Sequence, residues 1–228
     1  MREVLTTILI CLISLCFIGC KKESTVQTTT EENPADEYIR QLSSENESER
    51  IIAKKKLIQL AEPAAKRLIA WLEGYPIIEV DKFVKPSVKN DVYEILGAIH
   101  SEEAIPILVK TMEREVPAGM EVGLSPVMQA LVEIGSPAVP HLITSIEAAE
   151  KMIAASDSSK PLKELNRIIQ IRASLVLAEI GDKRALPVLQ HLEQSVENDF
   201  MRNQIARAIE QISHSEDNSG NGRVGYDK

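Results

Sequence analysis

Four histidines, three cysteines and a few acidic doublets are the residues of this chain whose types could do chemistry. His100, His141, His191 and His214 are widely separated. A transition-metal site needs several His, Cys or carboxylate ligands converging on one point, often two on one helical face as in an HxxxH pair. The chain has no such pair, and a metal shared by His141 and His191 would need carboxylate partners at fixed spacing. Neither a GxSxG nucleophile turn nor a P-loop occurs. Glu31-Glu32 lies in a polar stretch and Glu102-Glu103 at a helix start, where solvation and the helix dipole account for them. No catalytic constellation emerges. The expectation is a chain that is not an enzyme and holds no metal.

The cysteines carry a different chemistry. The segment "MREVLTTILICLISLCFIGC" has an apolar run from Val4 to Ile18. That is short for a membrane span of about 20 residues but of the length of a signal-peptide apolar region. Its ending, "FIGC", resembles the lipobox of bacterial lipoproteins: an apolar residue at −3, a small one at −1, and a Cys that becomes the lipidated first residue. The resemblance implies that residues 1–19 are a signal peptide and that Cys20 carries lipid, palmitate among its acyl chains. It places the mature chain on the cell membrane or the outer membrane, facing an extracytoplasmic compartment. The alternative is an ordinary signal peptide or uncleaved anchor in which Cys20 is incidental. Cys11 and Cys16 would leave with the signal, so no disulfide framework remains. No cofactor is expected beyond the lipid.

The totals narrow the partner. Of 228 residues 44% are hydrophobic but only 4% aromatic, so Ala, Ile and Leu must pack the core, a composition that leans helical. The formal net charge is −8, and the one basic stretch is "KKK" at 54–56. Nucleic-acid binding by counterion release is therefore not expected. The stretch alternates with Ile51, Ile52, Leu57 and Ile58 and reads as the wet side of an amphipathic helix, with anionic lipid contact as the alternative. Residues 20–37 are polar and read as a flexible tether, and residues 214–228 as a disordered tail.

Between these tails the search for repeats decides the fold. "LAEPAAKRLIAWLEG", "IHSEEAIPILVKTME", "IGSPAVPHLITSIEA" and "IGDKRALPVLQHLEQ" align on Ala64, Ala104, Ala138 and Ala185, spaced 40, 34 and 47 residues apart. Each follows another helical stretch, and a fifth such stretch, "DFMRNQIARAIEQI", closes the series. Gly135 or Gly181 ends a first helix, and Ser136 or Asp182 opens the second as a capping residue would. Pro137, Pro140 and Pro187 fall in or near its first turn, where a missing N–H costs nothing. "ALVEIGSPAVPHLI" and "LAEIGDKRALPVLQHL" resemble HEAT repeats, in particular the short class noted in phycobilisome lyases. The fold expected over residues 38–213 is all-α: an armadillo-like α-solenoid of about four HEAT-like helix pairs plus a terminal helix.

Within each second helix, offsets 0, 1, 4, 5 and 8 from the anchor Ala are apolar and form the buried face. Offsets 3, 6, 7 and 10 form another, which by resemblance to HEAT arrays lines a docking surface. Arg67, Trp71, Lys110, Arg114, His141 and His191 fall there, with Ile107, Ser145 and Leu192 among them, and are the candidate binding residues. Trp is enriched at binding hot spots. The apolar insertion at 74–87 is the alternative occupant of Trp71. The function expected is a membrane-anchored, non-enzymatic scaffold or adaptor for an unidentified protein partner in the bacterial envelope. A lyase-like or chaperone-type accessory protein and a glycan- or peptidoglycan-binding module are the alternatives.

Overall fold

The computed structural model describes residues 33–74, 86–115, 123–155 and 159–215. The signal peptide, Cys20, most of the tether, residues 75–85 of the insertion and the tail from 216 lie outside the described residues, so the cover expected over Trp71 lies outside them too. The described residues form ten α-helices and no strands. They run α1 (Pro34–Gln41), α2 (Glu47–Leu60), α3 (Glu62–Gly74), α4 (Pro86–Ala98), α5 (Ile105–Arg114), α6 (Pro126–Ile134), α7 (Val139–Ala154), α8 (Lys160–Ile180), α9 (Leu186–Ser195) and α10 (Asp199–His214).

The helices stack in two layers. First helices α2, α4, α6, α8 and α10 each pack on the next, and so do α1, α3, α5, α7 and α9. This is the all-α helical-repeat solenoid of four pairs and a terminal helix, with α1 added in front. Asn33 caps α1, its Oδ1 accepting from the Ala35 N–H at 3.0 Å. Residues 34–37, assigned above to the tether, are therefore helical, because α1 packs on α2 and α3. At the other end α10 runs through His214, the first residue assigned to the tail.

Why the pairs break where they do is a matter of four residues with positive φ: Ala61 (51°), His100 (55°), Gly135 (80°) and Gly181 (72°). Each sits just after a first helix and reverses the chain. Glycine adopts such φ freely, whereas a side chain resists it. The last three second helices then enter through a single 3₁₀ turn, at Glu102–Ala104, Ser136–Ala138 and Lys183–Ala185. Pro106, Pro140 and Pro187 follow in the first turn of α5, α7 and α9, where the sequence places them.

The four anchor alanines are fully buried, at 0% exposure. A larger side chain there would hold the packed helices apart. Leu68, Leu108, Leu142 and Leu189, each four residues on, are buried beside them. Gly97 does the same between α4 and α6: a Cβ on it would lie 3.0 Å from the Ala130 Cα and 2.4 Å from Glu133 Oε2.

Two expectations need correction. Asp182 caps as expected, accepting from the Arg184 N–H at 2.9 Å. Ser136 makes no such cap, because its carbonyl and hydroxyl face the next turn of the array, where Arg184 and Asp182 take them. On α2, Ala53 and Leu57 face the core, while Ile51 and Ile52 are exposed alongside Lys55 and Lys56. Lys54 is the lysine turned inward, onto Asp91 at 2.8 Å and Glu94 at 2.6 Å of α4.

Candidate functional site

The second-helix layer carries a groove of about 360 Å³ between α5 and α7. This lies at the small end of ligand clefts, roughly 300–1,000 Å³. Pro106, Val109, Lys110 and Glu113 wall it on α5, with Pro140, His141, Thr144, Ser145 and Ala148 on α7. The proline rings help make the site, because each fills the entry of its helix with carbon instead of an N–H.

Ser145 closes the floor. It is 4% exposed, and its Oγ donates to Glu113 Oε1 at 2.7 Å across the groove. The Thr144 hydroxyl turns back to the Pro140 carbonyl at 2.9 Å. Lys110 and His141 are exposed on opposite walls, and among the described residues neither has an ion-pair partner. Arg114, also exposed, stands one turn beyond Lys110 on α5.

The wall is braced from the first-helix layer. Arg172 of α8 donates through Nη1 to the Met112 carbonyl at 2.9 Å and to that of Glu115 at 2.6 Å. These are end carbonyls of α5, which lack intrahelical donors and carry the negative end of the dipole. A guanidinium there fixes where α5 stops.

Of the residues selected from sequence, the structure brings together Lys110 and His141. Arg67 is engaged elsewhere, its Nη2 pairing with Asp36 Oδ2 of α1 at 2.7 Å. Trp71 is half-buried and packs against the core. His191 of α9 lies 3.1 Å from Glu150 Oε1 of α7 through Nε2. Ile107, Ser145 and Leu192, taken above as docking-face positions, are buried. The reason is lateral stacking within the second-helix layer, which covers part of that arc. Glu113 and Arg172 were not selected. The signal available for Arg172 was a cation inside the apolar run "RIIQIRASLVLAEI".

Electrostatics mark the turns between repeats. The Arg184 guanidinium holds the Asp182 carboxyl at about 2, with the Arg184 N–H and the Ser136 hydroxyl adding to it against a burial penalty. Burial, then Glu94, raises the Glu133 carboxyl above its ordinary value. For Lys54 burial opposes the charge, but Asp91 and Glu94 outweigh it and the ammonium is raised. Among the described residues no group of three or more His, Cys, Asp or Glu is placed to hold a metal ion, and no helix is long and apolar enough to cross a membrane.

Residues 169–195 match the family model of the PBS lyase HEAT-like repeat. That stretch is the later part of α8, the Gly181 turn and α9, so the match falls within one helix pair of the array. It supports a HEAT-repeat chain, and the other three pairs repeat the same helix–turn–helix plan. No curated protein matches the chain.

Proposed function

We propose that the chain is a bacterial lipoprotein, cleaved ahead of Cys20 and lipidated on its sulfur, whose HEAT-like array docks a protein partner near an envelope membrane without doing chemistry itself. The "FIGC" ending of the leader supports the anchor. The docking role rests on one observation: Lys110 of α5 and His141 of α7 both line the groove, exposed, with no ion-pair partner among the described residues. Two cationic or potentially cationic tips beside proline, Val109 and Ala148 walls, over a floor closed by the Ser145–Glu113 hydrogen bond, suit a partner segment that offers a carboxylate beside a hydrophobic side chain.

The test uses the full chain in its membrane. Palmitate incorporation is expected in the wild type and lost in Cys20→Ala. A photo-crosslinking amino acid in place of Thr144 is expected to give one discrete protein adduct, and the same residue in place of Glu210 on α10 none. Palmitate incorporation without a specific adduct at position 144 removes the docking role and keeps the anchor. No incorporation removes the anchor.

The name of the matching family makes a lyase-like activity the competing reading. Absorbance of the purified chain mixed with a tetrapyrrole separates the two: an unchanged spectrum is expected, and a covalent, red-shifted adduct would favour the lyase.

A further inference from the structure

At its two ends the first-helix layer is finished differently. On α10, the arc opposite buried Met201, Ile205, Ala208 and Ile212 carries exposed Asn203, Arg207, Glu210 and His214, with a single exposed apolar side chain, Phe200, in the first turn. A repeat array needs such a polar outer face on its last helix to stay soluble. The first helix of the layer, α2, departs further, with two adjacent apolar side chains exposed beside lysines. At 100° per residue, Ile51, Ile52 and Lys55 lie opposite buried Ala53 and Leu57. Ile51 is 46% and Ile52 54% exposed. Lys56 flanks them and reaches Gln59 Oε1 at 3.4 Å. The two acids of α2, Glu47 and Glu49, are confined to its first turn, so the exposed arc beyond that turn is apolar and positive on a chain whose net charge is −8.

We propose that this arc is a membrane-contact face, with Ile51 and Ile52 entering the headgroup–acyl boundary and Lys55 and Lys56 meeting anionic lipid phosphates. Exposed branched apolar side chains beside lysines on one helical arc are the chemistry of interfacial helices that lie on anionic bilayers. The position fits. The inference rests on the lipid at Cys20 proposed above, and 12 residues separate Cys20 from Asn33. Twelve residues span at most about 40 Å when fully extended. A lipid on Cys20 would therefore keep the start of α1 within that distance of the bilayer. The arc would then turn a tethered domain into one held in a fixed orientation.

The experiment takes the lipidated full chain in vesicles, with an environment-sensitive fluorophore on a cysteine introduced by Ile52→Cys, and on one from Asn203→Cys as the reference. With phosphatidylglycerol present, the label at 52 is expected to shift to the blue and to be quenched several-fold more by headgroup-level nitroxide lipids than the label at 203. Lys55→Glu with Lys56→Glu, or vesicles of phosphatidylcholine alone, is expected to remove that difference. Far-ultraviolet circular dichroism identical to wild type shows that the variants fold. Vesicle association with equal signals at 52 and 203 overturns the contact face while leaving the anchor. No vesicle association overturns both. A blue shift without vesicles, accompanied by a doubled solution mass, overturns it in favour of a second copy of the chain.

Discussion

Arg184 donates through Nη2 to the Ser136 carbonyl at 2.9 Å while its guanidinium grips Asp182 of its own turn. One side chain thus joins the α8–α9 turn to the α6–α7 turn before it. Consecutive repeats are held in register at their turns as well as through buried leucines.

That relationship gives a pH dependence with a definite sign. The folded-state carboxyl of Asp182 titrates at about 2, below its ordinary 3.8. A depressed folded value means its contribution is full above the unfolded value and disappears as pH falls through the folded one. Asp182→Asn keeps the capping oxygen that accepts from the Arg184 N–H but removes the charge together with the oxygen that accepts from Arg184 Nε and Nη2. Wild type is expected to exceed the variant by about 1 kcal/mol near neutrality, a figure kept low because solvent screens an exposed guanidinium. The gap should close between about pH 4 and pH 2 in urea titrations at stepped pH. A constant gap would mean that charge is not the cause.

The turns make a second, paired prediction. Ala61 has φ 51° and ψ −121°, close to the 80° and −140° of Gly135 at the equivalent place. Ala61→Gly removes the strain of a Cβ at positive φ and is expected to stabilise by about 1 kcal/mol. Gly135→Ala should cost roughly 1–3 kcal/mol through the backbone alone. No atom lies nearer the added carbon than the Val132 carbonyl oxygen at 3.9 Å. Opposite shifts in the urea midpoint check the pair.

Gly97→Ala sets two effects against each other. Gly97 stands one residue before the end of α4, so the gain from propensity is below the about 1 kcal/mol of a helix interior. The new Cβ would lie 3.0 Å from the Ala130 Cα, which is backbone and cannot swing away as Glu133 can. Overpacking of this kind costs about 1–3 kcal/mol, so a net loss is expected. A midpoint at or above wild type would show that α4 and α6 can separate without cost.

Much of this architecture was legible because particular residue types announce backbone geometry. Pro106, Pro140 and Pro187 mark helix entries, and Gly135 and Gly181 mark exits. Where the same geometry is carried by Ala61 and His100, the sequence is silent, since neither residue type marks a positive φ as glycine does. Helix α1 is eight residues long, too short to show a period, and is held by its neighbours. At the site, helical spacing put Lys110 and His141 on one face but could not say which part of that face the next helix covers. Ser145 and Glu113 meet only because α5 and α7 lie side by side, and Arg172 meets the end of α5 across 57 to 60 residues of chain.

The last prediction concerns that brace. Arg172→Lys keeps the charge but trades the fixed N–H directions of Nη1, which meets both carbonyls, for a freely rotating ammonium on a shorter stem, so it holds them less rigidly. Arg172→Met removes both bonds and leaves end carbonyls of α5 without that donor. A charged hydrogen bond of this kind contributes about 1.5–3 kcal/mol, so Arg172→Met should lose roughly that much and Arg172→Lys less. The loss should be local. Amide hydrogen exchange is expected to quicken in α5 and the facing part of α7 while α2 and α10 keep their protection, because stability in a repeat array is a sum of neighbour terms. The groove depends on the same support, so crosslinking from position 144 should fall in Arg172→Met even though Arg172 does not line it. Uniform loss of protection along the whole array would show instead that Arg172 holds the fold and not the end of one helix.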